Sequence, residues 1–183
     1  MLKMMLLHGI RRFETTWGYD ASYMRRILSA APASLLRFSV LAKMVDGRAA
    51  PAAALAAAGL AGTLAEDCGP CTQLSADMAA AQGVPASELQ AIVSGDEAAM
   101  GPDARLAWRF ARASLARDLE TSETLRDEVV RRWGERGLVA IALRLTTARM
   151  YPTLKYALGH GQACSRVRVG GQEAVVARAR MAA

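Results

Sequence analysis

Two of the three cysteines stand one helical turn apart in the stretch Glu66-Asp67-Cys68-Gly69-Pro70-Cys71-Thr72-Gln73-Leu74. Thiols with two residues between them can close a small disulfide or chelate a metal, and the surrounding groups decide which. A structural zinc site takes four good ligands, and a catalytic one three. Outside the pair the sequence offers only Cys164, His8 and His160, with no second pair at a metal-ligand spacing. No metal and no cofactor are therefore expected, and redox use is favoured. Pro70 has a fixed φ and no N–H to lose, which suits the first position of a helix, with Gly69 as cap and Cys71 in the first turn. Unpaired N–H groups at such a terminus favour a thiolate. CxxC thiols so placed titrate anywhere in about 3.5–7.5, against about 8.5 for a free thiol.

Few other groups could assist. Glu66 and Asp67 are the nearest acids. Either could accept a proton through water, although as anions they would also raise the thiol pKa, and Asp67 can equally serve as a local cap. His160 could fold back beside the pair or lie on the surface as a loop histidine. Cys164 reads as a lone thiol. Cysteine is among the most buried residue types, so the alternative for Cys68 and Cys71 is a pair of buried, unreactive side chains.

The elements that must position the pair read as helices. Ala49 to Ala65 is rich in alanine and leucine and almost free of β-branched residues, which predicts a helix opened by Pro51. The tetrad Cys-Gly-Pro-Cys is shared with thioredoxins, but there it follows a strand in a βαβ pattern, which this preceding helix excludes. Ala58, Gly59 and Gly62 form a small-residue face on which another helix can approach closely. The CxxC helix continues through Leu74, Met78 and Ala81 to Gly83, with Met78 read as core.

Upstream, Leu2, Leu6, Ile10 and Phe13 make a short amphipathic helix interrupted at Gly9, Thr15 to Tyr19 a connection, and Asp20 a cap for a helix carrying Tyr23, Ile27 and Leu28. Pro32 opens the next helix. Downstream, Ser87 to Val93 is a short helix and Gly95 to Pro102 a loop. Asp103 to Leu119 is a long helix with Arg105, Arg109 and Arg112 on a separate face. Thr121 or Ser122 caps a helix ending at Gly134, and a further helix from Leu138 is broken or restarted at Pro152. Val167, Val169, Val175 and Val176 around Gly170-Gly171 predict a hairpin or extended arm, with a basic end at Arg178 and Arg180.

With 183 residues the chain suits one domain: N-terminal helices over 1–31, a core over about 32–161 and a tail over 162–183. A hydrophobic fraction of 52% with only 5% aromatics describes closely packed helices with short side chains. The net charge is +6, and 20 of the 23 basic residues are arginines dispersed along the chain. No nucleic-acid partner is expected, because no recognised motif or aromatic-plus-basic cluster accompanies that charge. The alanine-rich run is shorter than the ~20 residues a span requires, so no membrane segment is expected. Without a secretory signal the expected compartment is the cytoplasm, where a CxxC is catalytic, redox-sensing or metal-binding more often than structural.

A CxxC opening a helix after an apolar helix, then Gly83-Val84-Pro85 with Ser87-Glu88-Leu89-Gln90-Ala91-Ile92, then three long helices, resembles the carboxymuconolactone decarboxylase and alkylhydroperoxidase-D-like superfamily over roughly Pro32 to Gly161. The resemblance implies an all-α bundle with the CxxC at a helix N-terminus, assembly into a homo-oligomer, Cys71 as the attacking thiolate and Cys68 as the resolving one. The departures fall on proton-relay positions: the family's glutamate is Ala56, its histidine after the motif is Ser75, and the histidine of peroxidatic members is Pro70. The implied activity is a thiol-dependent oxidoreductase acting on a peroxide or a partner disulfide, weak as a peroxidase unless Glu66, Asp67, Ser75 or His160 assists. The alternative is a non-catalytic or redox-sensing helical oligomer that binds a small molecule or a protein. A lactone decarboxylase is a third reading, without a convincing histidine or acid pair to move the proton.

Overall fold

The computed structural model describes residues 2–162 and 166–177. Cys164, Arg178 and Arg180 lie outside the described residues. The described chain is all-α apart from one hairpin: α1 Leu2–Trp17, α2 Ser22–Ala30, α3 Pro32–Ser39, a 3-10 turn Leu41–Lys43, α4 Ala52–Ala65, α5 Gly69–Ala81, α6 Ala86–Ser94, α7 Pro102–Ala116, α8 Leu119–Ala157, then β1 Val167–Val169 and β2 Gln172–Ala174.

The alanine-rich helix is the centre of the bundle. Every residue of α4 from Ala54 to Leu64 is buried, as expected of a helix apolar on all sides, and α5, α6, α7 and α8 all pack on it. Its glycines set how closely they come. A Cβ added at Gly62 would sit 2.9 Å from the Leu145 carbonyl oxygen and 3.2 Å from the Ala148 Cβ, so the α8 backbone rests almost directly on α4. One at Gly59 would sit 2.6 Å from Arg144 Nε, so a guanidinium occupies the space a side chain would take.

A second apolar cluster, built on Ile10, Tyr19, Tyr23, Leu28 and Leu35, joins α1, α2 and α3 to Leu74 of α5 and to Leu154 and Leu158 at the end of α8. The seam between the two clusters is where the cysteine pair lies.

Several boundaries differ from those the sequence predicts. α1 runs through Gly9 without a break and takes in Thr15 and Thr16, ending only at Gly18 with φ +58. An isolated glycine costs a helix only about 1 kcal/mol, and the packing of Leu6 and Leu7 before it and the burial of Ile10 after it hold both sides. α7 stops at Ala116, with Arg117 left-handed at φ 57. Asp118, not Thr121 or Ser122, caps α8, its carboxylate accepting the Thr121 N–H at 3.1 Å. Aspartate is among the strongest N-cap residues, and a cap placed there lets the whole 121–124 segment join the helix. Gly134 does interrupt α8, at φ 70 and ψ 178. Pro152 does not. It is buried inside the helix, and packing of the following turn, with Lys155 buried and Leu154 in the second cluster, offsets the missing N–H.

The hairpin turns at Gly170 and Gly171, with φ +59 and +81, the pair of positive values a two-residue primed turn requires. Val169 stands opposite Gln172. Val167 and Val169 are buried against the bundle, whereas Val175 lies beyond the ladder and is exposed. The Gln73 side chain anchors the hairpin: its Oε1 accepts the Arg168 N–H at 2.7 Å and its Nε2 donates to the Arg168 carbonyl at 2.8 Å. This ties the tail to the CxxC helix.

Candidate functional site

Cys68 and Cys71 form a disulfide, with Cα atoms 5.3 Å apart. The helix that carries them starts one residue earlier than the proline rule predicts. Cys68, extended at φ −104 and ψ 97, is the N-cap of α5, Gly69 and Pro70 follow, and Cys71 is the third helical residue. The Cys68 carbonyl accepts from both the N–H and the hydroxyl of Thr72, at 2.9 and 3.0 Å, which locks the first turn. Proline in that turn sacrifices no hydrogen bond.

Both sulfurs belong to buried residues, Cys68 fully and Cys71 with 5% of its surface exposed. Cys71, and not Cys68, lines a cavity of about 170 Å³ beside the second cluster. Ser75 and Met78, on the same helix, also line it. A larger, more open groove of about 660 Å³ holds Glu66 and Arg149 but no cysteine. Of these two, the smaller cavity is the one that the cysteine pair touches.

A chain of hydroxyls leads to the Cys71 sulfur. The Tyr19 hydroxyl lies 3.9 Å from Cys71 Sγ and is the donor, because a disulfide sulfur carries no hydrogen. Tyr23 donates in turn to Tyr19. Gly18 turns the chain out of α1 and Glu14 holds the turn through the Ala21 N–H at 3.0 Å, while Phe13 meets the Tyr19 ring edge-on at 5.8 Å. Burial is the main cause pushing the Tyr19 hydroxyl up to about 12 from its ordinary 10.0, and burial likewise raises Tyr23 well above its usual range. Both keep their protons at any physiological pH.

Two cations flank this chain. Lys155, only 2% exposed, places its ammonium 4.8 Å from the Tyr19 ring centroid and 5.6 Å from that of Tyr23. Desolvation lowers its pKa, and the charge of Asp20 opposes that shift. Asp20 is itself held below the usual carboxylate range, first by the Ser22 N–H and then by further groups including Lys155. Arg144, from α8, lines the cavity. Desolvation lowers its pKa as well, with Tyr151 acting in the other direction.

No family model, curated protein or solved structure matches this chain.

The auxiliary groups read from the sequence fall in different places. Ser75 lines the cavity with Cys71. Glu66 turns away to Arg149, whose Nε and Nη2 both reach its Oε1 at 2.6 Å, and accepts from the Thr153 hydroxyl at 3.3 Å. Asp67, left-handed at φ 48, does not cap α5. Its carbonyl accepts the Tyr156 hydroxyl at 2.9 Å. His160 is engaged with α2, its Nδ1 3.0 Å from the Ser22 hydroxyl. Just beyond it, the Gln162 carbonyl accepts the Gly69 N–H at 3.3 Å. Among the described residues, no group of three or more His, Cys, Asp or Glu side chains comes together, and no helix is long and apolar enough to cross a membrane.

Tyr19, Lys155 and Arg144 are absent from the sequence-based set of candidates. Tyr19 lies in the α1–α2 turn and Tyr23 on α2, so no helical spacing links them and no local sequence signal raises Tyr19. Arg144 is one of 20 arginines and nothing in its spacing separates it from the rest.

Proposed function

We propose that this protein is a thiol-dependent oxidoreductase of the alkylhydroperoxidase-D-like kind, in which Cys71 attacks and Cys68 resolves. One observation carries the reading: the two cysteines are joined at a helix N-terminus, and Cys71, not Cys68, lines the cavity in which a hydroxyl donor meets its sulfur. Once the disulfide is reduced, the Tyr19 hydroxyl and the first turn of α5 together favour the thiolate form at Cys71. The burial of both sulfurs favours a small oxidant over a bulky partner disulfide, since a protein disulfide would have to reach Cys71 through a cavity of about 170 Å³. The relay positions read Ala56, buried in the centre of α4, Pro70 and Ser75, so no side-chain base replaces the family's glutamate and histidine, and slow turnover follows. Exposed Leu2, Met4 and Met5 on α1 support assembly into a homo-oligomer, and a reducing compartment such as the cytoplasm would keep the pair cycling.

The test starts from protein reduced with dithiothreitol and freed of it. An organic hydroperoxide should remove two hydrogens from a peptide holding both cysteines, and Cys68→Ser should stop at a sulfenic acid on Cys71 that dimedone traps. A pair that stays reduced in the presence of excess peroxide, or a trapped adduct on Cys68 in the Cys71→Ser protein at the wild-type rate, overturns the assignment.

A second reading has an observation of its own. The Tyr156 and Gln162 contacts to Asp67 and Gly69 tie the start of α5 to the end of α8, so opening the disulfide can be transmitted to the C-terminal segment, as a redox sensor requires. Hydrogen exchange over 156–162 that is identical in the oxidised and reduced proteins removes it.

A further inference from the structure

The cavity beside Cys71 contains a charge that the thiol chemistry leaves unused. Arg144 lines it, and no carboxylate among the described residues pairs with that guanidinium; its electrostatic partner is the Tyr151 hydroxyl. Three exposed arginines of the same helix differ: Arg132, Arg136 and Arg149 are paired with Asp103, Asp46 and Glu66. None of the described residues lining the cavity is acidic. The chain also makes room for the guanidinium. Gly59 lacks the Cβ that would stand 2.6 Å from Nε and 3.1 Å from Cζ, so the planar group lies on the α4 backbone. An arginine in a desolvated site holds its charge at all ordinary pH, and its planar fork of donors matches a carboxylate in two parallel hydrogen bonds.

The remaining walls set the size and character of the occupant. Leu74, Met78, Met24 and Phe13 are apolar, and a cavity of roughly 150 Å³ with such walls accepts a benzene-sized molecule, against about 170 Å³ here. The space suits a single ring or short branched chain with one anionic group, and is too small for a tripeptide disulfide.

We propose that the cavity binds a small organic acid through Arg144 and that the substrate of the cysteine pair is the hydroperoxide of such an acid. The second half of this rests on the thiol reading above. The Cys71 thiolate attacks the outer peroxide oxygen. The O–O bond breaks, its inner oxygen leaves with a proton as the alcohol, and the sulfur is oxidised to a sulfenic acid. The Cys68 thiol then attacks that sulfur, an S–S bond forms, and water departs with the sulfenic oxygen. An external dithiol returns the pair to the reduced state. One hydroperoxide and two thiols thus give one alcohol, one water and one disulfide.

Binding is measured first, with benzoate as an unreactive probe, by calorimetry on the oxidised protein. Benzoate should bind, and Arg144→Leu should weaken it about tenfold to a hundredfold, the range for losing hydrogen bonds to a charged group. Gly59→Ala should do the same by displacing the guanidinium with the arginine still present, while Arg149→Leu, in the other groove, should leave binding unchanged. Circular dichroism and a thermal melt establish that each variant is folded. The reduced protein is then exposed to 3-hydroperoxy-3-methylbutanoate or to its methyl ester. The acid should oxidise Cys71 at least about tenfold faster than the ester, and the preference should vanish in Arg144→Leu and in Gly59→Ala. If benzoate fails to bind and acid and ester react equally, the anion site is refuted and the thiol chemistry stands. If benzoate binds through Arg144 but neither peroxide oxidises Cys71, the thiol reading and the substrate assignment both fall, and only the acid site remains.

Discussion

Replacing Tyr19 with phenylalanine removes the hydroxyl at Cys71, and with it the acceptor of Tyr23, while keeping the ring, which makes it the sharpest probe of the polar chain. The ring keeps its edge contact with Phe13 at 5.8 Å and its place beneath the Lys155 ammonium at 4.8 Å. What is lost is the donor 3.9 Å from Cys71 Sγ. To a disulfide sulfur that bond is weak, but in the reduced protein the acceptor is a thiolate, and hydrogen bonds to charged groups contribute about 1.5–3 kcal/mol. The distance is long, so the lower end applies, and for a two-electron couple about 1.4 kcal/mol corresponds to about 30 mV. Because the hydroxyl stabilises the reduced form, its loss makes the disulfide harder to reduce. The midpoint potential of Tyr19→Phe should therefore be about 30 mV more negative than that of the wild type. The assay equilibrates both proteins in dithiothreitol redox buffers at fixed pH, quenches with an alkylating agent and counts blocked thiols by mass. Tyr23→Phe, which removes only the second donor, should shift the potential the same way by less. A Tyr19→Phe potential within ~10 mV of the wild type, or one shifted positive, would mean that Tyr19 does not act on the thiolate.

The other expectations concern packing, the relay and pH. Gly62→Ala forces a methyl group against the Leu145 carbonyl at 2.9 Å, and since backbone cannot swing aside it should destabilise the fold by about 1–3 kcal/mol, read from the urea midpoint at unchanged slope. Ser75→His places an imidazole on the wall that Cys71 shares, and should raise peroxide reduction toward the about 10²–10⁴-fold a general base supplies; an unchanged rate in stopped flow refutes the placement. The companion change Ala56→Glu, which family resemblance would suggest, should instead destabilise the protein, because Ala56 is buried in the middle of α4. Lys155 has its pKa lowered from 10.5 by burial, so between the folded value and 10.5 the unfolded chain binds more protons and this contribution to stability grows as pH rises. Tyr19, raised to about 12 from 10.0, contributes the opposite trend above pH 10. Lys155→Met should flatten the first limb of the urea midpoint against pH, with Asp20, Tyr19 and Tyr23 still in place, and a limb of unchanged slope counts against a buried ammonium.

What the sequence made legible and what it hid divide along a physical line. The helical class, the buried alanine-rich helix and the CxxC at a helix start depend on local spacing and on proline and glycine chemistry, so they could be read from neighbours in the chain. The hairpin was legible because Gly170-Gly171 supplies two positive φ values within two residues. The boundaries that moved did so where tertiary packing outweighed a local signal: Gly9 and Pro152 stay inside helices because the residues around them are buried. The site's polar half was not legible, since Tyr19 comes from the α1–α2 turn, Arg144 and Lys155 from α8, and Cys71 from α5. No pattern in one segment reports that these three parts of the chain converge. Length of side chain misled as well. Glu66 stands only two residues before Cys68, yet it reaches outward to Arg149, whereas Tyr19, 52 residues from Cys71, meets the sulfur.

The hydroxyl chain also constrains which steps the site can accelerate. Tyr19 and Tyr23 hold their protons because burial disfavours the phenolate, so they can donate to an anion but cannot remove a proton from a thiol. Neither cation nearby is a base at neutral pH, the one a guanidinium and the other an ammonium. The arrangement therefore stabilises a thiolate once formed and leaves its formation to solvent. A reaction built this way should depend on pH through a single ionisation, the rate of Cys71 oxidation rising with the thiolate fraction and then levelling, without the second limb that a titrating general acid or base would add. Ser75→His would add that limb along with its acceleration. A bell-shaped profile in the unaltered protein would show that a titrating group other than these tyrosines sits within reach of the sulfur.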